Sequence, residues 1–215
     1  MVTRRWFQPR WLERALPALR RRLTPASSRS IAIPPLEAEG IVGVPLAPGH
    51  SPSSLVFIRL HAFGDTAITL PALAALRARL PDARITVVTD GASAGLFQAR
   101  AEADTVLSLN MRAARADRLA AMMRLASTLR RVSPEAVIDL QRSRWSRALT
   151  ALLHPPAWVG FDRFAPRTAL ARYLDAVEWI GLGHLEPVFT SALHPEVAAE
   201  GDRILIEAGW DPGRP

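Results

Sequence analysis

The sequence predicts an α/β fold, a Rossmann-like parallel sheet, and three observations carry that expectation. Five short apolar runs of strand length recur between residues 55 and 161. Between them lie segments long enough for a helix, several with leucines or methionines three and four apart. Repeated strand–helix units of this size fit a parallel sheet covered on both faces, because each crossover returns the chain to the same end of the sheet. A chain of 215 residues suffices for one generous domain with a real core.

The elements follow in order. "LVFIRL" (Leu55–Leu60) is a short buried strand, and the helix after it carries Leu70, Leu73, Leu76 and Leu80 on one face. "RITVVT" (Arg84–Thr89) is the second strand and Ala92–Ala101 the second helix. "DTVLSL" (Asp104–Leu109) is the third strand, and Arg115–Arg131 then places Leu119, Met122, Met123, Leu125 and Leu129 at roughly helical spacing. "AVIDL" (Ala136–Leu140) leads into a helix over Ser143–Leu153, and "AWVGF" (Ala157–Phe161) is a fifth strand. Two further helices, Arg167–Ile180 and His194–Ala208, follow without a clear strand, and "GWDPGRP" reads as a turn-rich hinge.

Before Leu55 the texture differs. All 27 basic residues are arginines, and seven of them fall in Met1–Thr24 against the single Glu13, a net of +6. The remaining residues set 20 arginines against 19 acids, so the body is nearly neutral, unlike a nucleic-acid reading surface. In the arm, Leu12, Leu16, Leu19 and Leu23 lie at helical spacing behind Trp6, Phe7 and Trp11, interrupted by Pro17. That pattern suits an anionic membrane surface, where each basic residue is worth about 1 kcal/mol, and it equally suits a solvated basic tail. "TRRWF" resembles a twin-arginine export signal, but charged residues replace its apolar stretch. Residues 25–54 hold six prolines and read as an extended linker. No run of about 18 apolar residues is present to span a bilayer. The lack of cysteine removes disulfides, thiolate nucleophiles and cysteine-containing zinc sites, and no histidine spacing supports a metal.

Ligands of open parallel sheets sit beyond the carboxyl ends of the strands. The residues there are His61–Asp65, Asp90 with Gly91, Asn110–Arg118, Asp139–Arg142, and Asp162 with Arg163. The set combines carboxylates at strand tips with arginines on loops. A dinucleotide fingerprint would place its three glycines on Ala62, Gly64 and Ala67, and only one matches, so Asp90 as a ribose-binding acid has little support. From the residues alone, Asp65 suits two roles: an acid presented to a ligand, or an N-cap of the following helix. Pro71 points to a helix beginning near Thr69 or Leu70 with Thr69 as its cap, which would release Asp65 from capping.

"IRLHAFGDTAITLPALAALRARLPDARITVVTD", followed in order by "AVIDLQRS" and "VGFDR", resembles the amino-terminal half of the family 9 glycosyltransferases, which include the lipopolysaccharide heptosyltransferases. The resemblance covers Leu55 to Trp210. It implies the GT-B architecture, two Rossmann-like domains facing a cleft, the first holding the acceptor and the second the nucleotide-sugar donor. It implies metal-independent transfer with inversion, and no cofactor apart from the donor, ADP-heptose, bound by the second domain. On this reading residues 1–24 are a basic arm, 25–54 a linker, 55–210 the acceptor-binding domain, and 211–215 the start of an interdomain linker with the donor-binding domain absent. The partners implied are a lipopolysaccharide inner-core acceptor and the nucleotide sugar, at the cytoplasmic face of the inner membrane, with no nucleic acid.

Carried onto this sequence, the motifs imply that Asp65 is the general base and that Gly64 permits the bend projecting it into the cleft. Arg112, Arg115 and Arg118 match a basic acceptor-side segment that would grip carboxylates and phosphates, or they form a solvated helix face. Gln141 matches an aspartate-x-glutamine motif implied to bind acceptor hydroxyls, while its companion Asp139 equally suits a helix cap. Arg142 departs from the family, which often has glycine there, and a large cation at that bend would reshape the acceptor pocket. Arg163 reaches the same cleft or pairs with Asp162. His61 is a ligand or, preferably, a polar wall, and Trp145, Trp158 and Trp179 read as packing. The competing classes are a non-catalytic anion- or glycan-binding module and a membrane-tethered nucleic-acid binder.

Overall fold

The computed structural model describes residues 40–161, 167–189 and 193–211. Six strands form one sheet: β1 (Ile41–Val44), β2 (Ser54–Arg59), β3 (Arg84–Thr89), β4 (Thr105–Ser108), β5 (Ala136–Asp139) and β6 (Ala157–Phe161). Their spatial order is β1-β6-β5-β2-β3-β4. All neighbours pair in parallel except β1, which runs antiparallel to β6. The helices are α1 (Phe63–Arg79), α2 (Ala94–Gln98), α3 (Arg115–Arg131), α4 (Arg144–Leu153), α5 (Ala169–Val177) and α6 (Pro195–Glu207).

Central β2 shows why the chain folds this way, since every one of its residues is buried. Successive strand side chains point to opposite faces. Leu55 and Phe57 therefore meet Leu73 and Leu76 of α1, Phe97 of α2, and Tyr173 and Val177 of α5. Val56, Ile58 and Leu60 meet Met122, Leu125 and Leu129 of α3 with Leu149 and Leu153 of α4. Each large side chain fully buried in these layers stabilises the fold by about 1.5–3 kcal/mol before entropy is counted.

From β2 the chain steps outward to β3 and β4, then returns to lay β5 on the other side of β2. The boundary between β2 and β5 is thus the topological switch point, where the two following loops part and where open α/β sheets have their ligand crevice.

The five parallel strands lie within one residue of their expected bounds, and α3 matches its expected span. The linker expectation needs correction at its end: Ile41–Val44 form β1, and Leu46 is buried, its N–H donating to the Ile180 carbonyl at 2.8 Å. Four residues are too few for a periodicity to show, and β1 takes its hydrogen bonds from the distant β6. The expected start of α1 near Thr69 also fails. The helix begins at Phe63, and Pro71 stands inside it, where it removes one hydrogen bond without ending the helix. Nearby, the Thr69 hydroxyl donates to the Thr66 carbonyl at 2.6 Å and Val188 N–H donates to the Pro71 carbonyl. Helix α6 has no buried residue and joins the body at its start, where His194 N–H donates to the Ala99 carbonyl. Among the described residues no helix is long and apolar enough to cross a membrane, and the basic arm lies outside them.

At the end of the sheet away from the crevice, Glu135 accepts from the Ser53 hydroxyl and pairs with the His50 ring, both at 2.6 Å. Glu135, His50, Pro45, Leu46 and Pro156 border a mostly apolar depression of about 380 Å³. The Ser53 hydroxyl, and then His50, hold the Glu135 carboxyl below its usual range. A carboxyl lowered in the folded state contributes stability above its unfolded pKa and loses it as pH falls through the folded value. Glu135→Gln should therefore lose stability less steeply than the parent on acidification below about pH 5, measured by urea denaturation along a pH series.

Candidate active site

Arg59 closes β2 and, by strand alternation, points into the layer of α1 and α5 with only 5% of its surface exposed. A buried cation is costly unless it is paired and hydrogen-bonded. Its Nη1 donates to the Leu140 carbonyl at 2.5 Å, and its Nη2 donates to Asp65 Oδ2 at 2.6 Å. The guanidinium carbon lies 5.5 Å from the centre of the Tyr173 ring, within cation–π range. Burial, reinforced by the Asp65 charge and opposed by Arg59 and Arg172, pushes the Tyr173 phenol up, so the ring stays neutral.

Asp65 is the third residue of α1, and its side chain is 51% exposed. It is not the N-cap: that position belongs to Ala62, and no side chain caps the helix. One carboxylate oxygen is committed to Arg59, while Oδ1 takes a hydrogen bond from no described residue. The expected role of Gly64 in the bend is corrected as well. The turn from β2 into α1 is made by Ala62 at φ 60, and Gly64 lacks a positive φ. A side chain added at Gly64 would meet nothing within 4 Å, so the surface beside Asp65 is open.

Across the switch point, Gln141 Oε1 accepts from Leu60 N–H at 3.2 Å and His61 N–H at 3.0 Å. Both neighbours are donors, which fixes the oxygen as the atom facing them. Gln141 thus ties the loop after β5 to the loop after β2, leaving its amide nitrogen for other contacts. Asp139 is buried, and its Oδ1 accepts from the N–H groups of Gln141 and Arg142 at 2.9 Å. It shapes this bend rather than capping α4, whose cap is Ser143 in reciprocal contact with Ser146. Burial raises the Asp139 carboxyl against the opposing pull of those N–H groups, Ser146 and the Arg142 charge.

Arg142 adopts φ 48, a left-handed backbone in which glycine is at home. Its side chain crosses Gly160 of β6, where an added Cβ would come 2.5 Å from Arg142 Cδ. His61 is half-buried, and its ring makes no hydrogen bond with a described residue.

The three loop arginines part company. Loop 109–114 follows β4, two strands from β2, or about 10 Å across the sheet. Arg112 and Arg115 are exposed, and the Arg112 N–H donates to Asn110 Oδ1 at 2.9 Å. Arg118 is half-buried, donates to the Ala113 carbonyl at 2.7 Å and stacks 5.0 Å from the Trp145 ring centre. It braces the loop against α4. Trp145 and Trp158 pack on one core layer and Trp179 on the other. Arg163 and Asp162 lie outside the described residues. Among the described residues no group of three or more histidine or carboxylate side chains is placed to hold a metal. Sequence reasoning missed Arg59, although a lone cation interrupting the apolar "LVFIRL" six residues before an acid was a visible signal.

No protein-family model matches the chain, and no curated protein matches it. Solved structures do. The family 9 glycosyltransferase from Veillonella parvula superposes with a TM-score of 0.64 at 18% identity, over 75% of this chain and 51% of that one. Heptosyltransferase II of E. coli gives 0.55 at 16% identity over 75% and 52%, and E. coli heptosyltransferase WaaC with ADP gives 0.51 at 21% over 64% and 50%. The fold is one that family 9 glycosyltransferases contain. At these identities the likeness carries architecture alone: the expected Rossmann-like sheet, of the kind found in part of each of these glycosyltransferase structures. The chain spans about half the length of each of these three structures.

Asp139→Ala strands two backbone donors at the switch point and should lower stability by about 1–3 kcal/mol in urea denaturation. Asp139→Asn retains the accepting oxygen without the buried charge and should stay close to the parent at neutral pH. Because the folded carboxyl titrates higher than the unfolded one, the parent should gain stability relative to the Asn variant as pH falls through that raised value.

Proposed function

We propose that the chain serves inverting, metal-independent transfer of a heptose from ADP-heptose to a lipopolysaccharide inner-core acceptor, as the acceptor-binding half of a family 9 glycosyltransferase. The observation that carries this reading is Asp65, a half-exposed carboxylate at the switch point with one oxygen bound by Arg59 and the other without a described partner. The three ordered sequence motifs and the shared fold support it. So do the matched E. coli enzymes, one solved with ADP and another described as an ADP-heptose lps heptosyltransferase.

In this reading the acceptor oxygen attacks the anomeric carbon from the face opposite the leaving group, and that carbon's bond to the diphosphate oxygen breaks with its electron pair leaving on the nucleoside diphosphate. The hydroxyl proton passes to Asp65 Oδ1. Removal late in such a step by a positioned carboxylate contributes about 10²–10⁴-fold. The donor belongs to a second domain. Arg112 and Arg115, exposed on the loop side of β4, are free to meet acidic groups of the acceptor. The basic arm would hold the chain at an anionic membrane face on the cytoplasmic side.

The test titrates lipid A bearing inner-core sugars into the chain, and assays transfer from ADP-heptose with a donor-binding domain supplied. Asp65→Asn should cut turnover by about 100-fold or more and leave acceptor affinity nearly intact. Undiminished turnover in that variant excludes the base role. Binding without transfer by either protein favours the non-catalytic glycan-binding module.

A further inference from the structure

We infer that Arg59 is a positioning residue: it draws the Asp65 carboxylate away from the amides of its own helix and turns the second oxygen to the crevice. This inference rests on the reading of Asp65 as the base.

Left to itself, Asp65 would bond to its own helix. It is the third residue of α1, the place from which an acidic side chain normally reaches back to the N-cap backbone N–H. The first turn of α1 has no side-chain cap, so its amides offer themselves to a carboxylate and the helix dipole favours one there. Yet Asp65 Oδ2 faces Arg59 Nη2 at 2.6 Å. The cation wins because both partners of that bond carry full opposite charges, whereas an amide donor is neutral. It also wins because Arg59, 5% exposed, would otherwise be a buried charge facing no carboxylate among its described contacts.

Arg59 can impose a direction because it is itself held. Its backbone lies in the central strand, in register with Thr89 of β3. Its Nη1 is fixed by the Leu140 carbonyl and its plane by the Tyr173 ring. The Thr89 hydroxyl and Arg59 Nε are both buried without a hydrogen-bond partner, on neighbouring residues facing the same layer. Asp65 thereby acquires the orientation of a sheet residue while sitting on a helix end. Misplacement of a reacting group by about 1 Å costs on the order of 10²-fold in rate.

Crystal structures of Arg59→Met and Arg59→Gln in the full chain test this, with amide hydrogen exchange of residues 62–65 measured in solution. Arg59→Gln keeps a neutral polar donor in the buried site and guards against a variant that fails to fold. The expected result is that Asp65 swings back to accept from the first-turn amides in both, and that those amides exchange more slowly than in the parent. An Asp65 carboxylate that keeps its place in a folded variant overturns the inference. With the donor-binding domain supplied, kcat should fall on the order of 10²-fold with acceptor KM unchanged. An equal rise in acceptor KM and no change in kcat would likewise overturn it. Should Asp65 swing while Asp65→Asn transfers normally, the base reading fails and the positioning of the carboxylate stands.

Discussion

A guanidinium buried at the carboxyl end of the central strand constrains everything near it. Desolvating such a charge costs several kcal/mol, so its surroundings must answer it with a carbonyl, an aromatic face and a carboxylate. Leu140, Tyr173 and Asp65 supply these from the loop after β5, from α5 and from α1. Three elements that are distant in sequence are thereby fixed around one side chain, and the candidate base is the member of that set that also reaches solvent.

The crevice itself follows from strand order. Because β5 returns to the side of β2 opposite β3, the loops after β2 and β5 diverge, and backbone amides that would have continued a ladder must find other partners. Gln141 takes two of them from the β2 side, and Asp139 takes two within its own bend. These side chains turn the mouth of an open sheet into a bonded frame. A carboxylate carried on such a frame keeps its geometry better than one on an unsupported loop.

Two left-handed non-glycine residues flank this frame, Ala62 at φ 60 and Arg142 at φ 48. Each costs about 1–3 kcal/mol and persists because neighbouring bonds determine it. Thr66 binds the Ala62 carbonyl through both its N–H and its hydroxyl, and Asp139 binds the Arg142 N–H. Gly160 completes the second site by leaving room for the Arg142 side chain, so an arginine occupies a bend that suits glycine.

The sequence by itself determined the five parallel strands and the helices between them, because apolar periodicity and β-branched content are local properties of the chain. It also marked Asp65, Gln141 and the loop arginines as residues beyond strand ends, since that follows from element order. Only the tertiary structure decided what those residues do. Arg118 stacks on Trp145, the Gln141 side-chain oxygen is taken by amides of another loop, and the bend assigned to Gly64 belongs to Ala62. It alone recovered β1, whose partner lies more than a hundred residues away, and Arg59, whose meaning depends on Leu140 and Tyr173. Strand pairing and charge compensation are non-local: their partners are chosen by the packed sheet, and no window of sequence contains both.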